Sequence, residues 1–193
     1  MSIKKILGFI VLAATFASCQ ESDDTPEAYP DWQNKNEQAF LKIYNDAQDS
    51  IRAGKNWRIV KGVYRPDVTD VSLSPTDCVV MQVLEPSLGG ATPLATDTVA
   101  MHYLGRLIPS TYYSSGLVFD SSYSGSYEAG VSTPYEGKVG SFVEGFATAL
   151  QYMHAGEHCM VYIPYQLGYG SSAASSIPAY SMLIFDLRLE NFW

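Results

Sequence analysis

The hydrophobic period of this chain changes from that of a helix to that of a strand near Asn56. Before that point Phe40, Ile43, Tyr44, Ala47 and Ile51 fall on one stripe of a single helix over residues 31–53, with Lys42, Asp46, Asp49 and Arg52 off it. Asp31 after Pro30 marks the start, and Gly54 the stop. Beyond it, apolar residues recur at every second position in runs near 57–60, 78–84, 97–104, 117–119, 156–163 and 182–189. The run 97–104 alternates most cleanly, with Val99, Met101 and Tyr103 on one face. Residues 85–96 carry Pro86, Gly89, Gly90 and Pro93 and read as a loop. One late helix interrupts the strands over 145–153, where Phe146, Ala149, Leu150 and Met153 share a face. Many antiparallel strands and one short late helix predict an α+β domain: a curved antiparallel sheet wrapped over that helix, with an N-terminal helical extension.

The ends of the chain stand outside that pattern. Lys4 and Lys5 precede an apolar run, Ile6 to Phe16, too short to span a bilayer comfortably. Phe16-Ala17-Ser18 before Cys19 resembles the lipobox of bacterial lipoproteins, with Phe16 where Leu is usual. That resemblance implies cleavage after residue 18 and acylation of Cys19; an ordinary secretory signal with Cys19 as a spare thiol is the alternative. Residues 19–30 form a polar, acidic tether with too little apolar surface to fold. Acidic residues just after such a cysteine resemble surface-export signals of some Gram-negative lipoproteins, and a tether facing the periplasm is the alternative. The expected location is therefore the cell envelope, lipid-anchored at the outer membrane on its periplasmic or surface side. The expected division is signal 1–18, tether 19–30, helix-and-strand extension 31–96 and main domain 97–193.

Charge excludes one class of partner. The net charge is −8, and removal of Lys4 and Lys5 with residues 1–18 takes it to about −10, without the basic footprint that nucleic acid requires. Cys78 and Cys159 lie in strand-like runs, where they are either a disulfide or two small buried apolar residues. The three histidines, His102, His154 and His158, have no cysteine at ligand spacing beside them, so a closed zinc set is not evident. There is no Gly-x-Ser-x-Gly elbow and no P-loop. What stands out is Phe119-Asp120 and Tyr169-Gly170, both amid apolar strands. They describe an apolar cup with a few polar groups on its rim, the kind of site that takes small ligands or short peptides.

Several short motifs fall in one order along residues 97–189: His102-Tyr103-Leu104-Gly105, Phe119-Asp120-Ser121-Ser122, Phe142-Val143-Glu144-Gly145-Phe146, Met153-His154-Ala155-Gly156-Glu157, Tyr162-Ile163-Pro164, Leu167 to Gly170, Ile177-Pro178 and Leu183 to Asp186. In that order they resemble the FKBP-type peptidyl-prolyl isomerases. The resemblance implies isomerisation of X-Pro bonds with no cofactor and no metal. It implies a floor from Phe146, where the family usually has Trp, and walls from Tyr103, Phe119 and Phe185. Asp120 would hold a polar contact near the rotating carbonyl, the Val143 N–H would donate to the peptide, Tyr169 would offer its hydroxyl and Ile177 would cover the rim. Tyr103, Phe119, Asp120 and Tyr169 are thus the candidate catalytic residues, with Tyr135, Phe142, Val143, Phe146, Ile177 and Phe185 as binding residues. The implied partners are proline-bearing segments of client proteins and macrolide ligands.

The chain departs from that pattern at Gly137, where Phe is usual, at Ala179, where a second Pro is usual, and in a Tyr- and Ser-rich insertion, Ile108 to Ser115. These bear on rate and substrate range more than on fold. The readings to separate are a lipid-anchored isomerase assisting the folding of envelope or surface proteins, a catalytically weak peptide-binding domain, and a structural lipoprotein whose N-terminal helix and insertion recruit a larger complex.

Overall fold

The computed structural model describes residues 27–65 and 73–193. Residues 1–18, Cys19 and the acidic stretch to residue 26 lie outside them. Among the described residues no helix is long and apolar enough to cross a membrane.

Helix α1 (Trp32–Arg52) precedes β1 (Trp57–Lys61), β2 (Cys78–Glu85), β3 (Thr98–Arg106), β4 (Val118–Ser121), β5 (Tyr135–Lys138), α2 (Glu144–Gln151), β6 (His158–Ile163) and β7 (Leu183–Phe192). Every strand pair is antiparallel, in the order β1-β2-β6-β7-β3-β4, and β5 joins β3 beside β4. The curved antiparallel sheet over a short helix is the architecture that the alternating periods predict.

Four consecutive residues of β2, Cys78 to Met81, are buried. Alternate side chains point to opposite faces, so this part of the sheet is covered on both. Both helices pack on β1, β2 and β6 and supply the two layers. In α2 every residue from Gly145 to Leu150 is buried, a helix wrapped by the sheet rather than laid on its surface. A Cβ at Gly145 would stand 2.2 Å from Ile163 Cγ2, so only glycine permits this approach of helix to sheet.

Two features differ from the sequence reading. The buried stripe of α1 is Trp32, Asn36, Phe40 and Ala47, while Ile51 is exposed in the last turn, just before the helix stops ahead of Gly54. Strand β5 was not expected. It is four residues long, largely exposed, and contains Gly137, so it carries no apolar alternation. Strands β1 and β2, from the extension over residues 31–96, are members of the same sheet as β3 to β7.

Cys78 and Cys159 are free, buried thiols. The register explains why: Val83 faces Cys159 across the β2–β6 ladder, which leaves Cys78 five residues along β2, roughly 17 Å away. Burial pushes the Cys159 thiol up to about 12, so it packs as a small apolar group.

The insertion after β3 is also tied down. Leu107 N–H donates to Leu117 O, and Thr111 hydrogen-bonds the backbone of Glu27 and Ala28 through Oγ1 (2.9 Å) and N–H (3.4 Å). Leu107 and Ile108 are buried in the core cluster. A Cβ on Gly116 (φ +81°) would lie 1.9 Å from Leu107 O, so the turn that closes the insertion requires glycine.

One ion pair fastens the sheet edge to the end of α2. Arg58 donates to both oxygens of Glu157 at 2.6 and 2.8 Å and to Tyr152 O at 2.8 Å, while Glu157 also accepts His154 N–H at 3.1 Å. Burial raises the Glu157 carboxyl, but these hydrogen bonds outweigh it and hold it below the ordinary carboxylate value. Glu157→Ala should cost about 2–3 kcal/mol, less than the roughly 3–5 kcal/mol of a fully buried pair because Arg58 keeps contact with solvent. A group depressed in the folded state stabilises above its unfolded value, near ~4.3, and loses that contribution as pH falls through its lower folded value. Acid unfolding of the intact chain should show this loss and that of Glu157→Ala should not; superimposable denaturation profiles would contradict the assignment.

Candidate functional site

Strand β3 lies against β7 along one edge, while β4 and β5 share the other. At Gly105 the register brings Asp120 of β4 and Phe185 of β7 opposite the same residue. A Cβ there would stand 2.6 Å from two ring atoms of Phe119 and 2.7 Å from Phe185 Cε1. The missing side chain is the space in which Phe119 and Phe185 meet edge to face, with centroids 5.5 Å apart and planes at 90°. Phe185 continues to Phe146 of α2 at 4.7 Å, and Tyr103 stands edge-on to both, at 6.0 Å from Phe146 and 6.2 Å from Phe185.

These rings enclose a cavity of about 530 Å³. Its lining includes nine of the ten residues expected around the peptide: Tyr103, Phe119, Asp120, Phe142, Val143, Phe146, Tyr169, Ile177 and Phe185. Phe146, buried to 3% exposure, lies at its base on the first turn of α2, and Val143 is the N-cap of that helix. The tenth, Tyr135, stands behind the wall instead. It is half-exposed on β5, 5.8 Å from Tyr103 and 6.4 Å from Phe142, and is not part of the lining. The cause is register, since β5 pairs Tyr135 with Met101, short of the stretch of β3 that carries Tyr103 and Gly105.

Gly137 and Phe142 account for each other. A Cβ at Gly137 would be 2.7 Å from Phe142 Cζ and 2.8 Å from Tyr135 Cε1. The ring of Phe142 occupies the room beside β5 and then packs on Phe146 at 5.0 Å. The wall is aromatic although position 137 is not.

The sequence reading missed Ser141, Ala174, Ser175, Ser176 and Leu183, which complete the lining. Small residues in a loop have no periodic signature; what marks the segment is its place between Tyr169-Gly170 and Ile177-Pro178.

The cup has one carboxylate. Asp120 Oδ2 accepts the Tyr103 hydroxyl at 2.9 Å and Oδ1 accepts Ser121 N–H at 2.8 Å. Burial first, and then this hydrogen bond to an anion, push the Tyr103 phenol well above its ordinary value, so it remains a donor at physiological pH. The histidines lie elsewhere. His102 is buried beneath Tyr127, with Nε2 3.2 Å from Glu190, and His158 lies between Glu85 and Asp186 at 3.2 and 2.8 Å.

The site is thus an aromatic cup between a sheet and the short helix it curls over, with Asp120 as the one carboxylate in its lining. The chain belongs to the FKBP-type peptidyl-prolyl cis-trans isomerase family, whose model matches residues 89–190. It is 38% identical over 101 residues to the FKBP-type 22 kDa peptidyl-prolyl cis-trans isomerase of Escherichia coli K12, covering 52% of this chain and 43% of that one. With FkpA of the same organism it is 30% identical over 172 residues, 89% of this chain and 56% of the other. It therefore spans about half the length of these curated relatives. The crystal structure of E. coli FkpA superposes with a TM-score of 0.51 at 25% identity, covering 83% of this chain and 64% of that one. A peptidyl-prolyl cis-trans isomerase from Pseudomonas syringae shares the fold with a TM-score of 0.51, at 23% identity over 80% of this chain and 94% of its own.

Gly105→Ala tests the ring geometry directly. Its methyl group must displace Phe119 and Phe185, which should cost about 1–3 kcal/mol in thermal or denaturant unfolding. It should also weaken proline-peptide binding, read by tyrosine fluorescence. A stable variant that binds like the parent would mean that the rings do not shape the site.

Proposed function

We propose that this chain is a lipid-anchored peptidyl-prolyl cis-trans isomerase of the bacterial cell envelope, attached through Cys19 and assisting the folding of envelope or surface proteins. The observation that carries the enzymatic reading is the convergence of Tyr103, Phe119, Asp120, Phe146, Tyr169 and Phe185 on one apolar cavity.

The barrier to be lowered is about 18–20 kcal/mol, set by amide resonance that is lost when the X-Pro bond twists. A site that binds the twisted amide more tightly than the planar one lowers it without a covalent step. Here the pyrrolidine ring rests on Phe146, between Tyr103, Phe119 and Phe185. These walls keep water from the planar, more dipolar amide, and so withdraw its solvation. The N–H of Val143 and the hydroxyl of Tyr169 hold the flanking peptide. Asp120 fixes the Tyr103 ring through the 2.9 Å hydrogen bond and places negative charge at the edge of the cup. Macrolides that present a prolyl-like ring are ligands of the same cavity.

In a coupled assay on a proline tetrapeptide the intact chain should accelerate cis-to-trans conversion. Phe146→Ala should lower kcat/KM about a hundredfold, equivalent to about 3 kcal/mol of transition-state stabilisation, and Asp120→Ala about tenfold, with circular dichroism unchanged. Absence of acceleration together with measurable peptide binding would establish the non-catalytic reading instead. For the anchor, Cys19→Ser should move the protein from the membrane fraction to the soluble fraction of the producing cell; retention in the membrane would overturn the lipid attachment.

A further inference from the structure

Six residues of the cup, Tyr169, Ala174, Ser175, Ser176, Ile177 and Leu183, come from one stretch of chain. Residues 169–182 are almost all loop, with one isolated bridge between Ala174 and Ile177. Two of its non-glycine residues, Ser175 (φ 52°) and Tyr180 (φ 60°), occupy the left-handed region. Such conformations persist only where surrounding contacts enforce them.

Ser175 is closed locally by the Ala174–Ile177 pair of hydrogen bonds, and the chain on either side of the segment is bonded to α1. Trp32 Nε1–H donates to Ser181 Oγ at 2.8 Å, and the Ser181 hydroxyl donates to Pro178 O at 2.7 Å. Asn36 accepts Met182 N–H on Oδ1 at 2.8 Å and turns its amide nitrogen onto Trp32 O at 2.7 Å. Glu37 Oε1 accepts the Tyr165 hydroxyl at 3.0 Å, and the Tyr165 ring meets Tyr180 edge-on at 5.3 Å. Tyr180 N–H in turn donates to Gly170 O at 2.9 Å, and Gly170 N–H to Tyr165 O at 2.8 Å. One helix thus bonds to Tyr165 ahead of the rim segment and to Ser181 and Met182 at its far end, while none of its residues lines the cup.

Asn36 is the informative member. It is 1% exposed on the packed face of α1, where an apolar residue would serve packing equally well. A buried amide is costly unless its groups are paired, and here both the oxygen and the nitrogen are.

We propose that Trp32 and Asn36 are positioning residues for the peptide site. Through Ser181 and Met182 they fix the rim segment 169–177, and so set the affinity for residues flanking the proline without touching the peptide. The inference rests on the isomerase reading for its substrate and on the hydrogen bonds above for its mechanics.

The test uses the full chain with Asn36→Leu, Ser181→Ala and Ser181→Thr, and reads amide hydrogen exchange alongside tetrapeptide kinetics. In Asn36→Leu and Ser181→Ala, amides of 169–182 should exchange about tenfold faster while those of β3 and β6 hold. KM should rise about fivefold, the worth of one hydrogen bond, with kcat changed less than about twofold. Ser181→Thr keeps the hydroxyl and should restore both readouts. Unchanged exchange at 169–182 in the folded variants, or faster exchange with an unaltered KM, would overturn the proposal. If Asn36→Leu opens the whole sheet, Ser181→Ala decides. If the parent chain turns over no peptide, the isomerase reading fails alone, and exchange together with the peptide Kd decides the positioning role.

Discussion

Three rings from three strands reach one cavity because β3 hydrogen-bonds along both edges and carries no side chain at Gly105. A residue of any size there would occupy the volume in which Phe119 and Phe185 contact each other. The antiparallel register then does the rest, since it sets Asp120 and Phe185 opposite the same glycine. Tyr103, two residues earlier, falls on the same side of the pleat and faces Phe185 and Phe146. The aromatic walls are therefore a property of the sheet, which is where a site that must hold rigid geometry is best placed.

The floor depends on a second close approach. Gly145 lets α2 sit against Ile163, and Phe146, the next residue, is delivered to the base of the cavity. Glycine at 137 serves a third such contact, where the absent side chain makes room for Phe142. In each case an aromatic ring of the cup is placed by a side chain that is absent close by. The rim is also bonded from outside the family-matched residues 89–190, where the buried Trp32 and Asn36 of α1 reach Ser181 and Met182.

The strands around the site were legible because their alternation is strong; Val99, Met101 and Tyr103 announce β3 without ambiguity. The walls were legible through the ordered motifs, which place Phe119, Phe146 and Phe185 on three different elements. What stayed hidden has a common physical cause. β5 gains its place from pairing with β3 and not from a buried face, so Tyr135 to Lys138 carry no apolar pattern. Asn36 is polar and reads as a solvent position, although it is among the most buried residues of α1. Ser141 and the 174–176 segment contribute small surfaces to the cavity, and small residues are silent in a periodicity analysis. The free state of Cys78 and Cys159 is a matter of register, which the spacing of two cysteines in sequence does not contain.

The central claim is that the prolyl ring of a peptide binds on Phe146 between Tyr103, Phe119 and Phe185. A crystal structure of the chain with a bound proline tetrapeptide tests it most directly. The pyrrolidine ring should lie over Phe146 with the preceding carbonyl at the Asp120 side of the cup and the flanking residues against Tyr169 and Ile177. A peptide seated elsewhere, such as the cleft between α1 and residues 164–166, with the aromatic cup left open, would contradict the account.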